Sequence, residues 1–178
     1  PEPAVDFSAW TADLATIKSG AQTAGIYLPP SSAQGYSLVF NSNGTVTIYK
    51  VTSLRAHATG TDVNNQLHTE DLDYNARSLQ STQNIPANGL IYIEDRTWVE
   101  GVVNGRALVA AARLPYNSAT APSIIIPNNI TYLAKDGTHV LGLLAQKDIL
   151  ISYYSPDTLE INAALIAQNG SAQRYFFS

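Results

Sequence analysis

The sequence predicts a mainly β fold: a right-handed parallel β-solenoid (β-helix) preceded by an α-helix and a β-hairpin. Three observations predict it. First, Leu143-Leu144-Ala145-Gln146-Lys147-Asp148 returns 22 residues later as Leu165-Ile166-Ala167-Gln168-Asn169-Gly170, with a weaker upstream copy at Leu108-Val109-Ala110-Ala111-Ala112-Arg113. Apolar and small residues returning in phase between turns suggest one unit stacked on copies of itself. Second, from Gly89 onward the chain is a series of short β-prone runs separated by turn residues, with no helical stretch between them. Third, only 13% of the residues are charged, about half the usual share. Asn, Thr, Ser and Gln take the surface instead, which suits turn-rich β structure.

The elements follow in order. Phe7, Trp10, Leu14 and Ile17 recur at steps of three and four residues and predict an amphipathic helix. Asp6 or Ser8 can cap its start, Gly20 or Gly25 can close its end, and Pro29-Pro30 forbids continuation. Tyr36–Phe40 and Thr45–Tyr49 flank Asn41-Ser42-Asn43-Gly44, a strong hairpin signal, with Val46 and Ile48 on one face and Thr45, Thr47 and Tyr49 on the other. Residues 54–88 are polar and aperiodic and read as a long connection, with room for short helical or strand pieces.

Beyond it the expected strands are Leu90–Ile93, Trp98–Val103, Ala107–Ala111, Ser123–Ile126, Ile130–Leu133, Val140–Ala145, Ile149–Tyr153, Leu159–Ile166 and Tyr175–Phe177. The organisation is thus 1–53 helix plus hairpin, 54–88 polar connection and 89–178 solenoid portion of roughly four rungs. The 35 residues from Leu108 to Leu143 make one rung plus a 13-residue insertion, placed at Pro115–Pro122 and expected to project as a loop. The alternatives are a β-sandwich and chance similarity within an Ala/Leu-rich strand.

Length and charge bound the function. The chain has 178 residues, 45% hydrophobic, with net charge −4 and pI near 5.2. That is enough for one sizeable domain and rules out bulk disorder. No Lys/Arg cluster is available to neutralise a run of phosphates, so neither nucleic acid nor an anionic membrane is an expected partner. There is no Cys, which excludes thiol catalysis, zinc fingers and disulfide frameworks. There is also no Met, and the chain begins Pro1-Glu2-Pro3. It therefore reads as a recombinant, mature or excised piece, with any signal peptide or anchor lying upstream. No apolar run reaches the ~18 residues of a transmembrane helix.

Chemistry-bearing residues are few. Glu70-Asp71-Leu72-Asp73 is the one dense acidic cluster, but it lacks the tight Gly turn of a Ca²⁺ loop and reads as a solvated acidic loop. His57, His68 and His139 have no partner at metal-ligand spacing. Glu94, Asp95, Glu100, Asp136, Asp148, Asp157 and Glu160 fall mostly at expected turns, where acids serve turn chemistry. Neither Gly-x-Ser-x-Gly nor a phosphate-cradling glycine loop is present. The expectation is no enzyme, no catalytic or metal residue and no cofactor.

Ten tyrosines, among them Tyr116 and Tyr153-Tyr154, suit either strand pairing or an adhesive, glycan-binding surface. Gln146 and Gln168 at matching rung positions suggest a stacked polar ladder. Asn43-Gly44-Thr45, Asn129-Ile130-Thr131 and Asn169-Gly170-Ser171 match the N-glycosylation triplet, as an Asn/Thr-rich chain does without selection.

Gly89–Glu94 leading into Trp98–Arg106, then Val140–Ile149 and Leu159–Gly170, resembles an uncharacterised bacterial extracytoplasmic family of type IV pilus-associated, pilin-like proteins. The resemblance covers about residues 85–178. It implies a pilin-type or membrane-anchored N-terminal helix followed by a β-solenoid-like passenger, and it brings no catalytic residues. Members of the family continue past the Arg174–Phe177 segment into further rungs, whereas this chain stops at Ser178. An open sheet edge there would be prone to pairing.

The implied role is structural: surface display in a pilus-associated, extracytoplasmic protein, acting in filament assembly or adhesion. The partners would be pilus or filament subunits, or a surface or glycan ligand, with self-association through the open edge as a further option. The alternative is a carbohydrate-binding or carbohydrate-cleaving solenoid whose site is the 114–122 loop and nearby tyrosines.

Overall fold

A computed structural model describes residues 8–56 and 59–176, with side chains described from Asp13 onward. The opening helix α1 spans Ser8–Ala24. Leu14 is buried and Ile17 partly so, and with Ala21 they pack on Tyr92, Ala110 and Leu144. Asp6, Phe7 and the Trp10 side chain lie outside the described residues. Gly25 ends the helix, its amide donating to the Ala21 carbonyl at 3.0 Å. A Cβ there would sit 2.4 Å from the Leu90 carbonyl oxygen, so only glycine lets the chain turn this close to its neighbour.

A short strand β1 (Ile26–Leu28), which the pattern does not signal, leads into the hairpin of β2 (Gly35–Phe40) and β3 (Thr45–Val51). The hairpin register is Phe40 with Val46 and Leu38 with Ile48, around a turn in which Gly44 adopts φ 82°. Val46 and Ile48 are fully buried, as their shared face predicts.

The stretch 54–88 is more than a connection. It holds the small hairpin of β4 (Thr59–Thr61) and β5 (Leu67–Thr69), and the eight-residue strand β6 (Arg77–Asn84), which pairs antiparallel with β3. The β6 strand lies at a sheet edge with most of its side chains exposed. An edge strand without a buried face needs no apolar alternation, so its sequence Arg-Ser-Leu-Gln-Ser-Thr-Gln-Asn hides it.

The remaining strands are β7 (Leu90–Ile93), β8 (Thr97–Val103), β9 (Arg106–Ala111), β10 (Ile124–Ile126), β11 (Ile130–Tyr132), β12 (Val140–Ala145), β13 (Ile149–Ile151), β14 (Ala164–Ala167) and β15 (Ala172–Gln173). Two expectations are corrected in detail. The strand expected over Leu159–Ile166 begins only at Ala164, because residues 159–163 run as irregular chain with an isolated Ile161–Ile130 bridge. The last strand is Ala172–Gln173 rather than Tyr175–Phe177; Phe176 instead bridges Thr61, and Phe177 lies outside the described residues.

The strands form two large sheets. One, ordered β1-β7-β9-β12-β14, is parallel throughout. The other, ordered β15-β13-β10-β8-β2-β3-β6, is parallel from β15 to β2 and antiparallel beyond, with β11 also pairing β8. Each strand of the first sheet is followed in the chain by one of the second: β1 by β2, β7 by β8, β9 by β10, β12 by β13, β14 by β15.

The repeat seen in the sequence is this register. Leu143, Leu144 and Ala145 pair with Leu165, Ile166 and Ala167. The upstream copy pairs one residue away from the expected alignment: Val109, not Leu108, faces Leu143, and Ala111 faces Ala145. The offset is thus 34 residues, and the extra chain lies between β9 and β10, where the insertion is expected.

The main core draws on both sheets, with Ile91, Val109 and Leu143 stacked in one column and Ile93, Ala111 and Ala145 in the next. Parallel sheets need both faces covered. On the first sheet α1 provides the cover. On the second, Trp98, Ile125 and Leu150 form an outer column covered by Leu72, Val51 and Tyr175, with Leu54 against it. Leu54 and residues 59–76 therefore act as a strap over the second sheet, and Trp98 Nε1 donates to the Glu70 carbonyl at 2.7 Å to hold it there.

Candidate functional site

Where the strap meets the loop between β9 and β10, a cleft of about 330 Å³ opens beside the outer column. Its walls come from several places, with Ala33 and Gln34 contributed by the chain before β2. The end of β5 gives His68, Thr69 and Glu70; the β7–β8 turn gives Asp95 and Arg96; the loop gives Arg113 and Ala119–Ser123; the β12–β13 turn gives Lys147. Ile125, Leu150 and Tyr175 also line it.

Asp95 organises one wall. Its Oδ2 accepts from the Ser31 amide at 2.8 Å and the Ser31 hydroxyl at 2.6 Å, and its Oδ1 accepts from the Arg96 amide at 2.9 Å. Arg113 reaches the same Oδ1 at 3.4 Å, while its Nε donates to the Glu94 carbonyl at 2.6 Å. Arg113 is itself held by Gln146: the Arg113 amide donates to Gln146 Oε1 and Gln146 Nε2 donates to the Arg113 carbonyl, both at 2.9 Å. A buried Gln thus acts as a clasp on the root of the loop. The polar ladder expected of Gln146 and Gln168 is not formed, since Gln146 spends its amide on Arg113 and Gln168 Oε1 has no partner.

The opposite wall carries a ring pair. His68 stacks on Tyr175 with ring centroids 4.6 Å apart, and His68 Nε2 lies 2.8 Å from Asp62 Oδ2. Asp62 also accepts from the amides of Asn64 and Gln66, and those hydrogen bonds hold its carboxyl below the usual range.

Glu70 and Asp71 correct the reading of a solvated acidic loop, since they are 3% and 1% exposed. The strap turns them inward as it covers Trp98. Asp71 accepts from the Tyr153 and Tyr154 amides at 3.3 and 3.1 Å; burial pushes its carboxyl up while those amides oppose the shift. Glu70 has neither carboxyl oxygen hydrogen-bonded. Burial first, and the neighbouring Asp71 charge second, push its carboxyl up to about 8, against the pull of Arg96. Asp73 is not at the cleft and caps the Asn75 amide at 2.9 Å.

The other sequence candidates scatter. His139 Nδ1 accepts from the Gly105 amide at 3.0 Å, and His57 lies outside the described residues. Asp136 accepts from Thr138, Asp148 from the Ser171 amide, and Glu160 pairs with Lys135 at 2.7 Å. Glu94 pairs with Lys18. Tyr153 and Tyr154 pack edge to face, with the Arg55 guanidinium 3.4 Å from the Tyr154 ring centroid. Tyr116 is 47% exposed and does not line the cleft; the 119–123 half of the loop does.

A second polar concavity of about 480 Å³ holds Glu100, Arg77 and Tyr49. There the Tyr74 hydroxyl donates to Glu100 at 2.9 Å, Arg77 Nη1 stands 3.7 Å from Glu100, and the guanidinium lies between the Tyr49 and Tyr74 rings. Its opposite charges face each other, so it reads as a structural network. Among the described residues no group of three His, Asp or Glu side chains is placed to hold a metal ion.

Arg96, Arg113 and Lys147 are the cleft residues that reading the sequence misses. They are single basic residues far apart in sequence, and the turns that bring them to one cleft carry no shared pattern: Arg113 stands at the root of the excursion after β9, while the Lys147 amide donates to the Pro122 carbonyl at its far end. Comparison with family models, curated proteins and solved structures finds no match to this chain.

Proposed function

We propose that the chain is a right-handed parallel β-solenoid serving as a structural display domain of a pilus-associated or pilin-like bacterial surface protein, in filament assembly or adhesion. The observation that carries this reading is the in-register parallel stacking of the repeated segment, Leu143–Ala145 on Leu165–Ala167 and Val109–Ala111 on Leu143–Ala145. Stacked units of this kind make a rigid rod whose variable parts are loops on one side. The strap of residues 59–76 and the 119–123 part of the loop after β9 meet at the cleft beside the second sheet, which is how such a rod displays a binding surface. Right-handed crossover is the rule for parallel strands. Among the described residues no helix is long and apolar enough to cross a membrane.

The test is location and company. Filaments sheared from source cells are probed with an antibody to this chain, and intact cells are treated with protease. The proposal expects the chain in the sheared fraction and cleaved on intact cells. A chain found only in the cytosolic fraction, and protected in intact cells, overturns it.

The second reading, a carbohydrate-binding module, is favoured by the cleft, whose walls are largely polar and include the His68–Tyr175 ring pair. No catalytic step is assigned to it.

A further inference from the structure

We propose that the cleft between the β5 end and the 112–123 loop is a binding site for an anionic saccharide, its carboxylate held by Arg96 and Lys147 and its hydroxyls by the surrounding polar wall. The proposal deepens the adhesion reading but rests on the cleft itself.

The charge balance points to an anion. The whole chain is acidic, with 10 Lys and Arg against 14 Asp and Glu. The cleft inverts this, bringing Arg96, Arg113 and Lys147 together. Arg113 is spent on Asp95 and the Glu94 carbonyl. Among the described residues the Arg96 side chain makes one hydrogen bond, at 3.3 Å to the Thr69 carbonyl, lies 5.8 Å from the Trp98 ring and has no carboxylate within ion-pair reach. Lys147 is exposed and its side chain has no ion pair among the described residues. Two cations thus remain for a ligand. Glu70 does not cancel them at neutral pH, because its buried carboxyl holds its proton there. A guanidinium and an ammonium lining one cleft suit a carboxylate, with Arg as the planar donor and Lys as a point charge.

The rest of the lining points to a hydroxyl-bearing ligand. The side chains of Gln34, Thr120 and Ser123 offer both donors and acceptors. His68, stacked on Tyr175 and partly exposed, puts an aromatic ring at the cleft wall that a sugar ring can contact. The volume of about 330 Å³ is at the small end of ligand pockets, so the site is sized for a short segment of a chain. An extended nucleic acid is disfavoured, since two free cations do not track a phosphate backbone.

The test is a titration of the ¹⁵N-labelled chain, followed by amide shifts. The probes are a galacturonate trimer, the corresponding neutral galactose trimer and inorganic phosphate, each at low and high salt. The proposal expects the galacturonate trimer to move the amides of Arg96, Arg113, Thr120 and Lys147, and to bind at least ~10-fold tighter than the neutral trimer, with affinity falling as salt rises. Lys147→Gln and Arg96→Gln are each expected to weaken it ~10-fold. Lys147 is exposed with no ion pair to lose, so its variant keeps the fold and keeps the test open if Arg96→Gln is destabilised.

No shift with the trimer at millimolar concentration overturns the site. Equal binding of the two trimers, or unchanged affinity in Lys147→Gln, overturns the anionic class, and binding of phosphate with no trimer binding overturns the saccharide. None of these outcomes depends on where the chain resides in the cell, so the display reading and the ligand site fail separately.

Discussion

Glu70 carries a carboxyl with no hydrogen-bond donor, turned inward and buried where the strap crosses Trp98. Ionising it there forfeits hydration with no compensating partner. The charged and titratable groups that act on it are Asp71 beside it and Arg96 on the facing turn, and it in turn acts on the Tyr175 phenol. The consequence for stability has a definite sign. Below the ordinary value of 4.5, folded and unfolded chains both hold the proton; between 4.5 and about 8 only the folded chain does. The folded chain binds more protons across that window, so this group's contribution falls as pH rises and levels off above about 8. Glu70→Gln keeps the shape and removes the ionisation. Urea denaturation at pH 5, 7 and 9 is expected to show the variant gaining on the parent with each step, reaching on the order of 5 kcal/mol at the highest pH. A gap that is the same at all three values contradicts the buried, raised carboxyl.

Gln146 and Gln168 show at the scale of elements how one sequence pattern yields two roles. They stand in equivalent places after β12 and β14. The 112–123 excursion follows β9, one strand over, so only Gln146 meets Arg113 there and clasps its backbone twice. Gln146→Ala leaves a buried amide and carbonyl without partners and is expected to cost about 2 kcal/mol. It should also speed hydrogen exchange at the Arg113 amide, whereas Gln168→Ala, which removes no such bond, should change stability by less than about 0.5 kcal/mol. Equal losses in the two variants would show that the clasp does not hold the loop.

The strands of the two parallel sheets were legible because β-branched and apolar runs such as Ile124–Ile126 and Val140–Ala145 are bounded by turn residues. The strap was not. Its hairpin β4–β5 buries little of itself, and Glu70 and Asp71 read as solvent-seeking until the apolar cover over Trp98 draws them inward. The cleft was illegible for a related reason. Arg96, Arg113 and Lys147 are single basic residues far apart in sequence, and only the folded turns after β7, β9 and β12 bring them to one cleft.

For the molecule as a whole, the last strand of each stack is where stability and association meet. β14 pairs only with β12 among the described residues, and Leu165 on it is 38% exposed. An exposed parallel edge is a template for a further strand. Sedimentation velocity over a wide concentration range is expected to show a rising sedimentation coefficient for this chain, with Leu165→Lys removing the rise. A monomer at high concentration would show that the edge is inert.

All of this depends on the register of the stack, which one spectrum tests directly. Methyl NOEs in the ¹³C-labelled chain are predicted to link Ala111 to Ala145 and Ala145 to Ala167 in series, since parallel neighbours on one face stand about 4.8 Å apart. Ala145 seen against neither alanine, or against residues of an antiparallel neighbour, would contradict the stacked scaffold and the cleft built upon it.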